Sequence, residues 1–99
     1  MITVVRSVEM SQGKQKEAVA WAVKMANYLS ENFIKTQTMR NIGGKSNQLH
    51  LVSSYESLAA REKILKKIEK DAGIQALVAE LEGLFVESST IDSMFETIS

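Results

Sequence analysis

The chain has no cysteine, no proline, a single histidine and no excess of charge of either sign. Without cysteine there are no disulfides, thiolate metal sites or thiol nucleophiles. A lone histidine excludes a multi-histidine metal centre, so no metal site is expected. Twelve basic against twelve acidic residues leave a formal charge of +0, which counts against a nucleic-acid partner. No apolar run approaches the ~20 residues that span a bilayer, and the opening residues lack the basic start and apolar core of a signal peptide. A cytoplasmic protein without a membrane partner is expected. What the chain does have is an ordinary globular balance over 99 residues, 44% hydrophobic and 24% charged, enough for one domain covering residues 1–99.

Hydrophobic periodicity divides that domain. Residues 2–10 alternate, with Ile2, Val4, Val8 and Met10 on one side, and β-branched side chains favour a strand. Arg6 interrupts the apolar side. From residue 14 to about 32 the period changes: Ala18, Trp21, Ala22, Met25 and Leu29 fall at helical spacing, with Ser11 or Gln12 as the expected cap region. Residues 33–42 and 47–55 read as two strands joined by the turn Gly43, Gly44, Lys45 and Ser46, since adjacent glycines tolerate positive φ. No phosphate-binding glycine spacing accompanies them. A four-residue turn sets Ile42 opposite Asn47, Arg40 opposite Leu49, Thr38 opposite Leu51 and Ile34 opposite Tyr55. Ser57 is placed to cap a helix whose stripe is Leu58, Arg61, Ile64, Leu65 and Ile68. The basic residues from Arg61 to Lys70 are expected on its solvated face. After an interruption at Asp71, Ala72 and Gly73, helical spacing resumes through Ile74, Leu77, Val78, Leu81, Leu84 and Phe85, with Gly83 as the stop. Residues 86–91 are expected to be a fourth strand, running on toward Met94 or Phe95.

The order β-α-β-β-α-β predicts an α+β, ferredoxin-like fold with a four-stranded antiparallel sheet and the helices on one face. The other face then lacks cover, and we expect it to carry Ile2, Val4, Val8, Leu49 and Leu51. Pairing two such faces about a two-fold axis predicts a homodimer.

Three segments carry a resemblance: the opening ITVVRSVEMSQGK, HLVSSYESLAAREKI with its Tyr55, Glu56, Ser57 step into a helix, and AGIQALVAELEGLFVESS with its broken helix. Together they resemble the dimeric α+β barrel superfamily, which includes antibiotic-biosynthesis monooxygenase-like, NIPSNAP-like and stress-responsive barrel proteins. The resemblance implies two sheets closing into a barrel-like dimer, and a cavity beside each sheet where family enzymes take aromatic polyketides or haem. In haem-degrading relatives an Asn on the first strand, a Trp ending the third and a His on the second helix line that cavity. Arg6 and Tyr55 match the first two positions, and the helix has no His, so no haem or other cofactor is expected. The resemblance leaves two functions: binding of a small aromatic or acidic ligand, or a cofactor-free monooxygenase-like activity on an aromatic or polyketide-type substrate.

Candidate site residues follow. Arg6 either orients an anionic ligand or pairs with an acid such as Glu87 or Asp92, because an apolar strand does not hold a free guanidinium cheaply. Arg40 and Tyr55 share its sheet face in the register above, and a guanidinium beside a phenol suits an acidic or phenolic aromatic molecule. His50 points to the opposite face; it is either a hydrogen-bonded structural histidine or a base in reserve. Trp21 and Tyr28 belong to the apolar stripe and are expected to pack in the core. An RNA-binding domain shares the element order, but the third strand here lacks the basic and aromatic run that stacks bases.

Overall fold

The computed structural model describes residues 1–99. The elements are β1 (Ile2–Glu9), α1 (Gln15–Asn32), β2 (Thr36–Arg40), β3 (Gln48–Tyr55), α2 (Leu58–Glu69), α3 (Ala72–Ala79) and β4 (Ile91–Glu96). The four strands form one antiparallel sheet in the order β2-β3-β1-β4, the ferredoxin-like arrangement with β1 at the centre. The hairpin has the expected register, Arg40 opposite Leu49 and Thr38 opposite Leu51. The ladder stops at Thr36, so Ile34 and Tyr55 do not pair. No helix is long and apolar enough to cross a membrane.

Local chemistry explains most element ends. Ser57 caps α2, its hydroxyl accepting from the Ala60 amide at 3.1 Å. Asp71 caps α3 in the same way, accepting from the Ile74 amide at 3.0 Å. Strand β2 is shorter than the expected 33–42, α3 already begins at Ala72, and three further ends depart from expectation. The first helix starts at Gln15 behind Lys14, which makes no side-chain cap, rather than at a cap on Ser11 or Gln12. Ser11 is held elsewhere, its amide donating to Leu84 O at 2.9 Å, and Gly13 turns the chain at φ +80°. The last helix stops at Ala79 and does not reach Phe85. Beyond it the amides of Glu80, Leu81 and Leu84 bond three residues back, tight turns that Gly83 closes at φ +79°. Leu84 and Phe85 thereby leave the helix and cover the end of β1, where Phe85 bridges Met10.

The fourth strand begins at Ile91 rather than at residue 86. Val86 makes one strand-like bond, its amide to Glu9 O at 2.9 Å. Ser88 then adopts a left-handed φ of 64°, and the Ser89 hydroxyl accepts from the Glu9 amide at 3.1 Å, which stops the ladder there.

Helices lie on one face of the sheet, and that face is the one carrying Val4, Arg6, Val8, Leu49, Leu51 and Tyr55. The expectation that Ile2, Val4, Val8, Leu49 and Leu51 lie on the uncovered face is therefore wrong. The α1 stripe needs an apolar partner, and this is the more apolar of the two faces. Ala18 and Ala22 let α1 approach Met10 and Leu49 closely, while Met25 meets Ile74 and Leu77 of α3. The uncovered face carries Thr3, Val5, Ser7, Val52, His50, Met39, Ile91 and Phe95.

The core is small. Only 11 of 99 residues are buried, and α2, though amphipathic, buries none. Helix α2 stands away from the sheet, and the space beneath it is open.

Candidate functional site

Between the sheet, α1, α2 and the turns after α3 lies a cavity of about 810 Å³. Its wall is mainly apolar, with Trp21, Met25, Leu29, Leu51, Leu65 and Ile68 among the lining residues. Such a volume, mostly apolar with a few polar groups, suits a small organic molecule. A shallower hollow of about 400 Å³ beside β2 contains no charged side chain.

The polar side chains lining the larger cavity include Arg6 from β1, Tyr55 from the end of β3, Arg61 from the first turn of α2 and Asp92 from β4. Arg6 and Asp92 face each other across neighbouring strands. They form a bidentate pair: Arg6 Nε donates to Asp92 Oδ1 at 2.8 Å and Nη2 to Oδ2 at 2.9 Å. The hydrogen bond from Arg6 holds the Asp92 carboxyl below its ordinary 3.8, against a smaller opposing effect of burial. Arg61 depresses it further through its charge. The same pair fixes Arg6 in its protonated form, and the nearby Tyr55 phenol acts in that direction too. Tyr55 itself is buried.

Arg61 has a different status. Its Nε is buried and has no hydrogen-bond partner. Spacing placed Arg61 in the apolar stripe of α2, yet its charge also put it in the basic run expected to face solvent. The structure settles this in favour of the stripe: Arg61 lines the cavity. A lone arginine at a stripe position was the one available signal.

The other candidates separate. Arg40 shares the sheet face of Tyr55, as the register requires, but sits exposed at the far end of β2 and does not line the cavity. Its pairing with Leu49 leaves it six residues of β3 away from Tyr55, roughly 20 Å of strand. His50 lies on the uncovered face and both ring nitrogens are engaged. Its Nε2 meets Asn41 Oδ1 at 2.5 Å, so Nδ1 accepts from the Ser7 hydroxyl at 2.7 Å. No group of three or more His, Asp or Glu side chains is arranged to hold a metal ion.

Trp21 bridges the two core clusters and forms part of the cavity wall. Its indole N–H donates to Leu77 O at 2.8 Å, and its ring meets Phe85 edge to face at 5.7 Å. Tyr28 lies outside the cavity. Its hydroxyl donates to Asp71 Oδ2 at 2.6 Å, which raises the phenol above its ordinary value and lowers the Asp71 carboxyl.

No protein-family model and no curated protein matches the chain. Solved structures do. An uncharacterised NIPSNAP domain protein from Burkholderia xenovorans superposes with a TM-score of 0.86 at 12% identity, over 100% of this chain and 96% of that one. A NIPSNAP family protein from Agrobacterium tumefaciens gives 0.77 at 20% identity, covering 98% and 92%. An antibiotic biosynthesis monooxygenase-like protein from Deinococcus radiodurans gives 0.71 at 11% identity, covering 100% and 94%. At these identities the likeness is one of architecture, and along its whole length the chain has the α+β fold on which these NIPSNAP and antibiotic biosynthesis monooxygenase-like proteins are built.

Proposed function

We propose that this protein is a homodimer that binds a small aromatic or acidic molecule in the cavity beneath α2. The observation that carries the binding reading is the cavity itself: about 810 Å³ of mainly apolar wall with Arg6, Tyr55, Arg61 and Asp92 among its lining residues. A domain this small gains stability by filling its core, so an amphipathic helix that buries no residue is better explained by an occupant. Binding is favoured over turnover because no histidine lines the cavity and Asp92 is tied to Arg6. The oxygenase reading draws on the family resemblance and on the name of a structural neighbour, not on a group in the cavity.

Support for the dimer comes from surface area. A folded monomer of 11.0 kDa exposes roughly 5,600 Å² by the size scaling of monomeric proteins, whereas this chain exposes 6770 Å². Exposed Met39, Ile91 and Phe95 flank Val5 and Val52 on the uncovered sheet face. Light scattering at low micromolar concentration is expected to return twice the chain mass; a stable ~11 kDa species would refute the dimer.

Trp21 is the only tryptophan and lines the cavity, so its fluorescence reports occupancy. Titration with benzoic and cinnamic acids, polyketide-like phenols and haem is expected to change that emission and raise the melting temperature for at least one class. Silence toward all of them, with oxygen uptake absent, overturns the reading.

A further inference from the structure

We infer that the cavity is an anion site specific for a single carboxylate on an apolar body, and that Arg61, not Arg6, receives the carboxylate. This rests on the binding reading above and names the ligand's chemistry.

Arg6 and Arg61 are the two cations of the cavity wall, and no lysine lines it. Arg6 is already neutralised: both oxygens of Asp92 are occupied by its Nε and Nη2. Arg61 stands close enough to Asp92 to lower its carboxyl, yet makes no hydrogen bond to it through its buried Nε. A permanently charged group without a hydrogen-bonded partner is costly, and it is tolerated where a ligand completes it; with Nε shielded, the accessible terminal nitrogens of Arg61 are the ones that meet the carboxylate. Arg61 is thus the one cation of the wall without a hydrogen-bonded carboxylate, and a ligand carboxylate supplies the partner that Arg6 already has.

The remaining acids set the upper limit. Glu69, Glu82 and Glu87 are exposed residues on the cavity's wall, contributed by α2 and by the chain between α3 and β4. They oppose a second negative charge on the ligand. The rest of the wall, 17 hydrophobic residues of 29, offers a carboxylate nothing and an apolar body a great deal. A cavity of about 810 Å³ is far larger than an anion alone, so the apolar body does most of the filling. Tyr55, buried on the same sheet face four residues along β3 from the Leu51 that faces Arg6, adds a phenol to the wall. The selected class is an aromatic or long aliphatic monocarboxylate, in preference to its neutral alcohol and to a dicarboxylate.

Isothermal titration with three probes of one shape tests this: 2-naphthoate, 2-naphthalenemethanol and 2,6-naphthalenedicarboxylate. The naphthoate is expected to bind about tenfold or more tightly than either of the others, the scale of one charge-assisted hydrogen bond. Arg61→Met, which keeps the aliphatic stem, is expected to remove that preference by weakening naphthoate while leaving the alcohol unchanged. Arg61→Lys restores part of it. Because the empty cavity leaves the Arg61 guanidinium unpaired, the melting temperature of ligand-free Arg61→Met is expected to equal or exceed that of the parent, which also certifies folding. Equal affinity for naphthoate and alcohol in the parent overturns the anion site while leaving a cavity that binds. Loss of the preference in Arg6→Met but not in Arg61→Met overturns the assignment to Arg61. Absence of binding by all three probes, with the parent folded, removes the binding reading itself.

Discussion

Replacing Trp21 with alanine removes the side chain that joins the two core clusters, and its cost can be assembled from the contacts. The ring packs against Met25, Leu77 and Phe85, and truncations of buried tryptophan usually cost about 3–5 kcal/mol. Within that sum, the hydrogen bond to Leu77 O is worth about 1 kcal/mol and the edge-to-face contact with Phe85 about 0.5–1.5 kcal/mol. Two features pull the total to the lower end. Leu77 O keeps a second partner, the Glu80 amide at 3.1 Å, so the carbonyl is not orphaned. The ring also borders a cavity, so its removal enlarges an existing space instead of opening a new dry void. We expect about 3 kcal/mol for Trp21→Ala and about 1–2 kcal/mol for Trp21→Phe, which keeps an aromatic ring and loses the donor. The assay is urea denaturation followed by far-ultraviolet circular dichroism, since the substitution removes the fluorophore. Protein concentration is held constant because the proposed dimer would add to apparent stability. A loss under ~1 kcal/mol for Trp21→Ala, with an unchanged denaturant slope, would refute the packing argument.

Other substitutions probe the local devices. A Cβ on Gly73 falls 2.0 Å from the Tyr28 hydroxyl oxygen, so Gly73→Ala is expected to destabilise by about 1–3 kcal/mol in chemical denaturation. In a Tyr28→Ala background the same change becomes neutral or stabilising, because alanine is the better helix former; a persistent loss there would contradict the clash. Ser57→Ala removes the α2 cap and is expected to cost about 1 kcal/mol, measured as a shift in the urea midpoint, while Ser57→Asp retains most of the stability. The depressed Asp71 and Asp92 carboxyls stabilise the fold at pH values above the ordinary carboxyl value of 3.8, and this contribution disappears as pH falls through their lower folded values. Thermal melts are therefore expected to drop below about pH 4, and the Asp71→Asn, Asp92→Asn double variant should drop less. The Arg6–Asp92 share is small, well under about 1 kcal/mol, because both side chains are more than a third exposed.

What the chain alone determined is what short-range chemistry determines. The alternation of β1, the stripe of α1, the Ser57 cap and the hairpin register depend on residues within one element or one turn. The element order and the rule against left-handed crossovers then leave the ferredoxin-like sheet as the natural product. Arg6 stood out in an apolar strand, and its partnership with Asp92 was one of two pairings open to it. The tertiary structure decided the rest. Alternation divides a strand into two faces without saying which one the helices cover; that choice depends on the match between the α1 stripe and the Val4, Val8 and Leu49 side, which pack together only after the crossovers form. The start at Ile91 and the docking of Leu84 follow from bonds between distant segments, Glu9 to Ser89 and Ser11 to Leu84, that no local pattern contains. Arg61 is the sharpest case. Helical spacing could say that it points toward the sheet, but only the height of α2 above the sheet decides whether it meets a carboxylate, another side chain or an open cavity.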